Sequence, residues 1–191
     1  MSMTRRTFLA VAVLGAASTA SGPSSAAAED AAWNALRTDG AIVLFRHATA
    51  PGTGDPSGMR IGDCATQRNL SEAGRAEARD IGKAFRDRSI AVGKVLSSQW
   101  CRCAETAELA FPGAVTEEPS FNSFFEDRSR SGPQTEAART ILDQWKGPGA
   151  LVVVTHQVNI NALTGAYTAS GEGIVLRVAN GALSVVGRIK P

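Results

Sequence analysis

The sequence predicts an α/β fold: a three-layer sandwich with a mostly parallel sheet, helices on both faces and an antiparallel C-terminal hairpin at one edge. Three observations carry this. Residues 41–45 and 151–154 are continuous apolar runs, the pattern of strands buried on both faces, and 94–96 read the same way. Stretches with helical periodicity lie between them, so strand and helix alternate. Near the C-terminus two apolar segments flank Asn180-Gly181, a dipeptide suited to a two-residue hairpin turn.

The elements follow in chain order. The strand at 41–45 sits between Gly40 and Arg46. Residues 48–70 hold several glycines and prolines and no period, which reads as a long loop after that strand. Ser71 can cap a helix running to about Arg88. Ala78, Ile81 and Phe85 make its buried stripe, and Arg75, Glu77, Arg79, Asp80, Lys83 and Arg86 its wet face. After the strand at 94–96, a second helix is expected over 99–110, stopped by Pro112-Gly113. A third covers 135–145, stopped by Gly147-Pro148. The strand at 151–154 leads to a short helix over 159–163. Segments 174–178 and 183–189 make the hairpin.

The first 28 residues read differently. Arg5 and Arg6 precede thirteen uncharged residues at 8–20, and the segment ends Ala26-Ala27-Ala28 before Glu29-Asp30. A positive start, a short apolar core and a small-residue exit describe a cleaved signal peptide. The apolar core is shorter than the ~20 residues that span a bilayer. The paired arginines followed by Phe8-Leu9 resemble the twin-arginine export signal; a general secretory signal is the other reading. The expectation is a bacterial protein exported to the periplasm or beyond, without a membrane span, with one domain over 29–191.

Hydrophobic residues make up 43% of the chain and charged residues 20%, which excludes a mostly disordered chain. The net charge of +2 comes entirely from Arg5 and Arg6. The predicted mature domain is neutral, so nucleic acid is not an expected partner.

The chemistry gathers at strand ends. Of the two histidines in the chain, His47 follows the first buried strand and His156 follows the strand at 151–154. Carboxyl ends of sheet strands are where open α/β folds keep their sites. Arg46 precedes His47, and Arg102 follows Ser98 by four residues, past a third strand. Two arginines can fork around a phosphoryl group. Their charge also keeps a neighbouring imidazole neutral and therefore nucleophilic.

These segments have a family likeness. Leu44-Phe45-Arg46-His47-Ala48 resembles the Arg-His-Gly motif of the histidine phosphatase superfamily, which has the phosphoglycerate-mutase-like fold. Asn69-Leu70-Ser71-Glu72-Ala73-Gly74 resembles its Leu-Thr/Ser-x-x-Gly helix start. Ser97-Ser98 through Arg102, Glu105, Thr106 and Ala107 resembles its Ser-x-x-x-Arg-x-x-x-Thr-Ala segment, and Val153-Val154-Thr155-His156 its second histidine motif. The resemblance implies a phosphomonoesterase in which His47 is transiently phosphorylated. Arg46, Arg102 and His156 hold the phosphoryl oxygens, water completes hydrolysis, and no cofactor or metal takes part. The implied substrate is a phosphorylated small molecule or envelope component. A phospho-ligand-binding protein with little turnover is the alternative, and a phosphoglycerate mutase a third reading.

Three departures from the family pattern stand out. Ala48 replaces the motif glycine and Gln157 the glycine after the second histidine. Many members carry a Glu or Asp general acid between the second arginine and the second histidine, in mutases as Leu-Asn-Glu; this chain reads Phe121-Asn122-Ser123 there, leaving Glu126 or Asp127 as candidate general acids if that loop turns inward. Glu105 reads as a partner for a nearby arginine. The cysteines are Cys64, Cys101 and Cys103, in no zinc-like spacing. Export permits a disulfide, and free buried thiols are the alternative. Related exported members imply Cys64–Cys101 over Cys64–Cys103.

Overall fold

A computed structural model describes residues 25–113, 115–179 and 181–191. The expected leader falls mostly on residues 1–24, outside the described residues, as does Asn180 of the expected turn.

Strand β1 (Ile42–Arg46) is central because its apolar run can be covered on both sides. It pairs in parallel with β4 (Ala150–Thr155), placing Phe45 against Val154 and Arg46 against Thr155. β4 pairs in parallel with β2 (Val92–Ser97), and β2 with β3 (Val115–Glu117). On the other side β1 pairs antiparallel with β5 (Gly173–Ala179), which turns back into β6 (Ala182–Ile189). Among the described residues these strands form one sheet in the order β3-β2-β4-β1-β5-β6. The hairpin register Ala179↔Ala182 leaves a two-residue connection, with Gly181 at φ 75°.

Alternate residues of the central strands point to opposite faces and bury two cores. Val43, Phe45, Val152 and Val154 pack under α1 (Ser25–Ala35), α2 (Glu72–Asp87) and α3 (Cys101–Ala110). Ile42, Leu44, Leu151 and Val153 pack under α4 (Ser131–Gln144) and α5 (Gln157–Thr164). That is the expected sandwich. Ser71 caps α2 as expected, its side chain accepting from Gly74 N, and Ala78, Ile81 and Phe85 form the buried stripe.

Two elements lie beyond the sequence reading. Helix α1 crosses the expected cleavage point after Ala28, and Trp33 anchors it, edge-on to Phe85 at 5.5 Å. The alanines that read as a processing site are also strong helix formers. β3 is a three-residue edge strand, too short to show a pattern. α4 begins at Ser131 rather than 135, with Pro133 in its first turn, where a missing N–H costs nothing. Among the described residues no helix is long and apolar enough to cross a membrane.

Candidate active site

The three parallel strands β2, β4 and β1 end on one rim. His47 extends β1, its N–H reaching Thr155 O at 3.0 Å, and the turn that follows is tightly built. Thr49 O accepts from Ser71 N at 3.0 Å, and Thr49 donates its N–H and hydroxyl to Glu77 Oε2 at 2.7 and 3.0 Å. Glu77, read as part of the wet face of α2, therefore fixes the turn after His47. Gly74 allows this approach, since a Cβ there would lie 2.1 Å from Thr49 O. Ala48 is fully buried with Ala50, Leu70 and Ala78, so the methyl that replaces the motif hydrogen fills a small apolar cluster.

The His47 ring is 3% exposed, and its Nδ1 lies 2.8 Å from Ala48 O. A carbonyl only accepts, so Nδ1 carries the hydrogen and Nε2 keeps its lone pair. Burial, with the charges of Arg102, Arg46 and Arg68, holds the imidazole down to about 3 and hence neutral. His156 follows β4, its ring centroid 5.5 Å from that of His47. Its Nε2 lies 2.8 Å from Ser98 Oγ and 3.4 Å from the sulfur of Cys103. Burial first, then His47 and the arginines, push its pKa well below the usual range. Cys103 is free and fully buried, and burial raises its thiol to about 12.

Arg46 donates Nη1 to Thr168 O at 3.0 Å, and its buried Nε has no protein partner. Gln157, the second departure, pins that segment: its Oε1 accepts from Thr168 N and Oγ1 at 2.7 and 2.9 Å. Arg102, in the first turn of α3, is 3% exposed and its Nε is likewise unpartnered. The structure thus brings Arg46, His47, Arg102 and His156 to one pocket of about 220 Å³.

Two further charged residues line it. Arg68 donates Nε to Gly54 O at 2.8 Å and Nη1 to Ala50 O. Asp55 forks Arg102. The placement of Arg68 just ahead of Asn69-Leu70-Ser71 was the available signal for it; Asp55 had none in an aperiodic loop.

Glu126 and Asp127 are exposed and stand outside the pocket lining. Asp127 accepts from Ser129 N and Oγ, capping the 3₁₀ turn at Arg128–Arg130. Asn122 is tied to the β2 end instead, its Oδ1 accepting from Gln99 N at 2.8 Å. Glu105 pairs with Arg75 at 2.6 Å, as expected. Cys64 and Cys101 form a disulfide with Cα atoms 5.7 Å apart, which ties the 48–70 loop to the residue before Arg102. Among the described residues no three metal-ligating side chains cluster.

Residues 42–121 match the model of the histidine phosphatase superfamily, branch 1. Residues 42–121 belong to the histidine phosphatase superfamily. Solved structures of the same fold extend over nearly their whole length. The SixA protein of Agrobacterium tumefaciens is 21% identical, with a TM-score of 0.53 over 81% of this chain and 99% of that one. A protein histidine phosphatase SixA complexed with tungstate is 15% identical, at 0.55 over 79% and 97%. A phosphoserine phosphatase of Entamoeba histolytica with phosphoserine bound is 13% identical, at 0.55 over 78% and 95%. No curated protein sequence matches significantly. β4 and α5, which supply His156, lie beyond the matched residues 42–121, and the solved structures share the fold there.

Proposed function

We propose that this superfamily member is an exported phosphomonoesterase that hydrolyses a phosphorylated small molecule or envelope component through a phosphohistidine at His47. One observation carries the reading. His47 is held neutral, in the tautomer that leaves Nε2 unprotonated, inside a pocket lined by three arginines and a second histidine. Such a nitrogen is a nucleophile, and the surrounding cations stabilise the charge on phosphoryl oxygens as the transition state forms.

The roles divide as follows. His47 Nε2 attacks phosphorus. The unpartnered Nε groups of Arg46 and Arg102 are buried donors whose desolvation is repaid when phosphoryl oxygens accept from them. Arg68 adds a third charge at the rim. His156, set by Ser98, stands beside His47 to contact the same oxygens. Water then attacks the phosphohistidine and releases phosphate. The structural neighbours named as phosphatases of protein histidine and of phosphoserine support a phosphoryl substrate. The leader with its paired arginines supports export.

The test is turnover of para-nitrophenyl phosphate by the mature protein, with quenching in alkaline denaturant to trap a phosphoenzyme that is then lost on acid treatment. His47→Ala should abolish both. Binding of phosphate without turnover by the wild type would support a ligand-binding protein instead. Retained turnover in His47→Ala, with loss in His156→Ala, would reverse the assignment.

A further inference from the structure

An alkyl phosphate leaves as an alkoxide, which needs a proton as the P–O bond breaks; supplying it contributes typically 10²–10⁴-fold. The segment 121–123 offers no acid, and Glu126 and Asp127 are exposed and not among the lining residues, the Glu126 carboxylate standing against Gly54 at the rim. His156 is neutral and packed beside the nucleophile. Arginines do not release protons at neutral pH.

Among the described residues one carboxylate lines the pocket, that of Asp55. Its side chain is 8% exposed. Oδ1 accepts from Arg102 Nη1 at 2.6 Å, and Oδ2 accepts from Nη2 at 3.1 Å and from Trp100 Nε1 at 2.9 Å. Gly52 and Gly54, at φ 94° and 70°, turn the loop over the pocket just before it. Asp55 is thus fixed on Arg102 in the same pocket that holds His47, Arg46 and Arg68.

We propose that Asp55 is the proton donor and acceptor of the reaction, a role that rests on the phosphohistidine reading. In the first step His47 Nε2 forms the P–N bond as the P–O bond breaks. The electron pair goes to the leaving oxygen, which takes the proton of the Asp55 carboxyl and departs as the alcohol. In the second step the oxygen of water attacks phosphorus and the P–N pair returns to Nε2. The proton lost by water restores the Asp55 carboxyl.

Burial raises the Asp55 carboxyl, but the hydrogen bonds of Arg102 and Trp100 outweigh it and hold the empty site anionic. A phosphoryl group on Arg102 takes over that positive charge and sets an anion beside the carboxyl, which favours its protonated form. The substrate thus loads the acid it needs.

The experiment compares glycerol phosphate with para-nitrophenyl phosphate in wild type, Asp55→Asn and Asp55→Glu. Asp55→Asn should lower kcat on glycerol phosphate by about 10²–10⁴-fold. With the aryl ester, whose phenolate needs little proton help, it should give a burst of nitrophenolate and then slow turnover. Phosphoenzyme accumulates because the acceptor for the proton of water is missing. Asp55→Glu should restore part of the alkyl activity. If Asp55 only positions Arg102, KM rises alike for both esters without a burst, and the proposal is overturned. If Asp55→Asn does not fold, Asp55→Glu carries the test: a steeper dependence of kcat on leaving-group pKa supports the proposal, and an unchanged one overturns it. Absence of any phosphoenzyme in the wild type would instead sink the underlying reading.

Discussion

Lowering the pH from 7 to 5 should destabilise this protein through the histidines of its pocket. His47 is 3% exposed, and burial, followed by the charges of Arg102, Arg46 and Arg68, holds its imidazole down to about 3. The hydrogen bond to Ala48 O acts in the opposite sense without offsetting this. In the unfolded chain the same imidazole takes a proton near its ordinary value of about 6.5. Between these two values the unfolded state binds a proton that the folded state refuses, so stability falls as the pH falls. Each pH unit inside that window is worth about 1.4 kcal/mol, so His47 alone removes about 2 kcal/mol between pH 7 and pH 5. His156 is displaced in the same direction, by burial first and then by His47 and the arginines, and adds to the loss. Urea unfolding of wild type and His47→Asn at both pH values measures it. The buffer must be free of phosphate, because an anion bound to the native state masks the effect. The wild type should lose about 2 kcal/mol more than the variant over this interval. Equal pH dependence in the two proteins would refute the argument that His47 is held neutral in the fold.

Three further outcomes are expected. Reducing the Cys64–Cys101 disulfide, or replacing Cys64 by Ser, should destabilise the fold by about 2–4 kcal/mol and weaken phosphate binding, because the 48–70 loop loses its tie beside Arg102; calorimetry and phosphate titration read this, and an alkylatable Cys64 in the native protein would contradict it. Gly74→Ala should cost about 1–3 kcal/mol and reduce turnover, since its methyl collides with the Thr49 carbonyl that shapes the turn after His47; Gly132→Ala, in open space on α4, is the neutral control, and equal melting temperatures would refute the point. Activity should survive exhaustive chelation, because three arginines line the pocket and supply positive charge for phosphoryl oxygens; loss restored by zinc or magnesium would refute this.

The legible parts of the sequence were those that write a local pattern. β1 and β4 are buried on both faces, so each appears as an unbroken apolar run. Ser71 and the Ala78, Ile81 and Phe85 stripe mark α2 because a cap and a 3.6-residue period are local signals. With those strands placed, His47 and His156 fall at neighbouring strand ends, since parallel pairing puts both carboxyl ends on one rim. The sequence by itself therefore determined the sandwich and the meeting of Arg46, His47, Arg102 and His156. It did not determine what surrounds them. Asp55 meets Arg102 across 47 residues, Glu77 holds Thr49 across 28, and Arg46 reaches Thr168 across 122. Nothing in the residues near Asp55 or Glu126 says which carboxylate turns inward. That choice belongs to the tertiary structure, because a loop without a period takes its path from distant partners: the disulfide at Cys101, the guanidinium of Arg102 and the indole of Trp100.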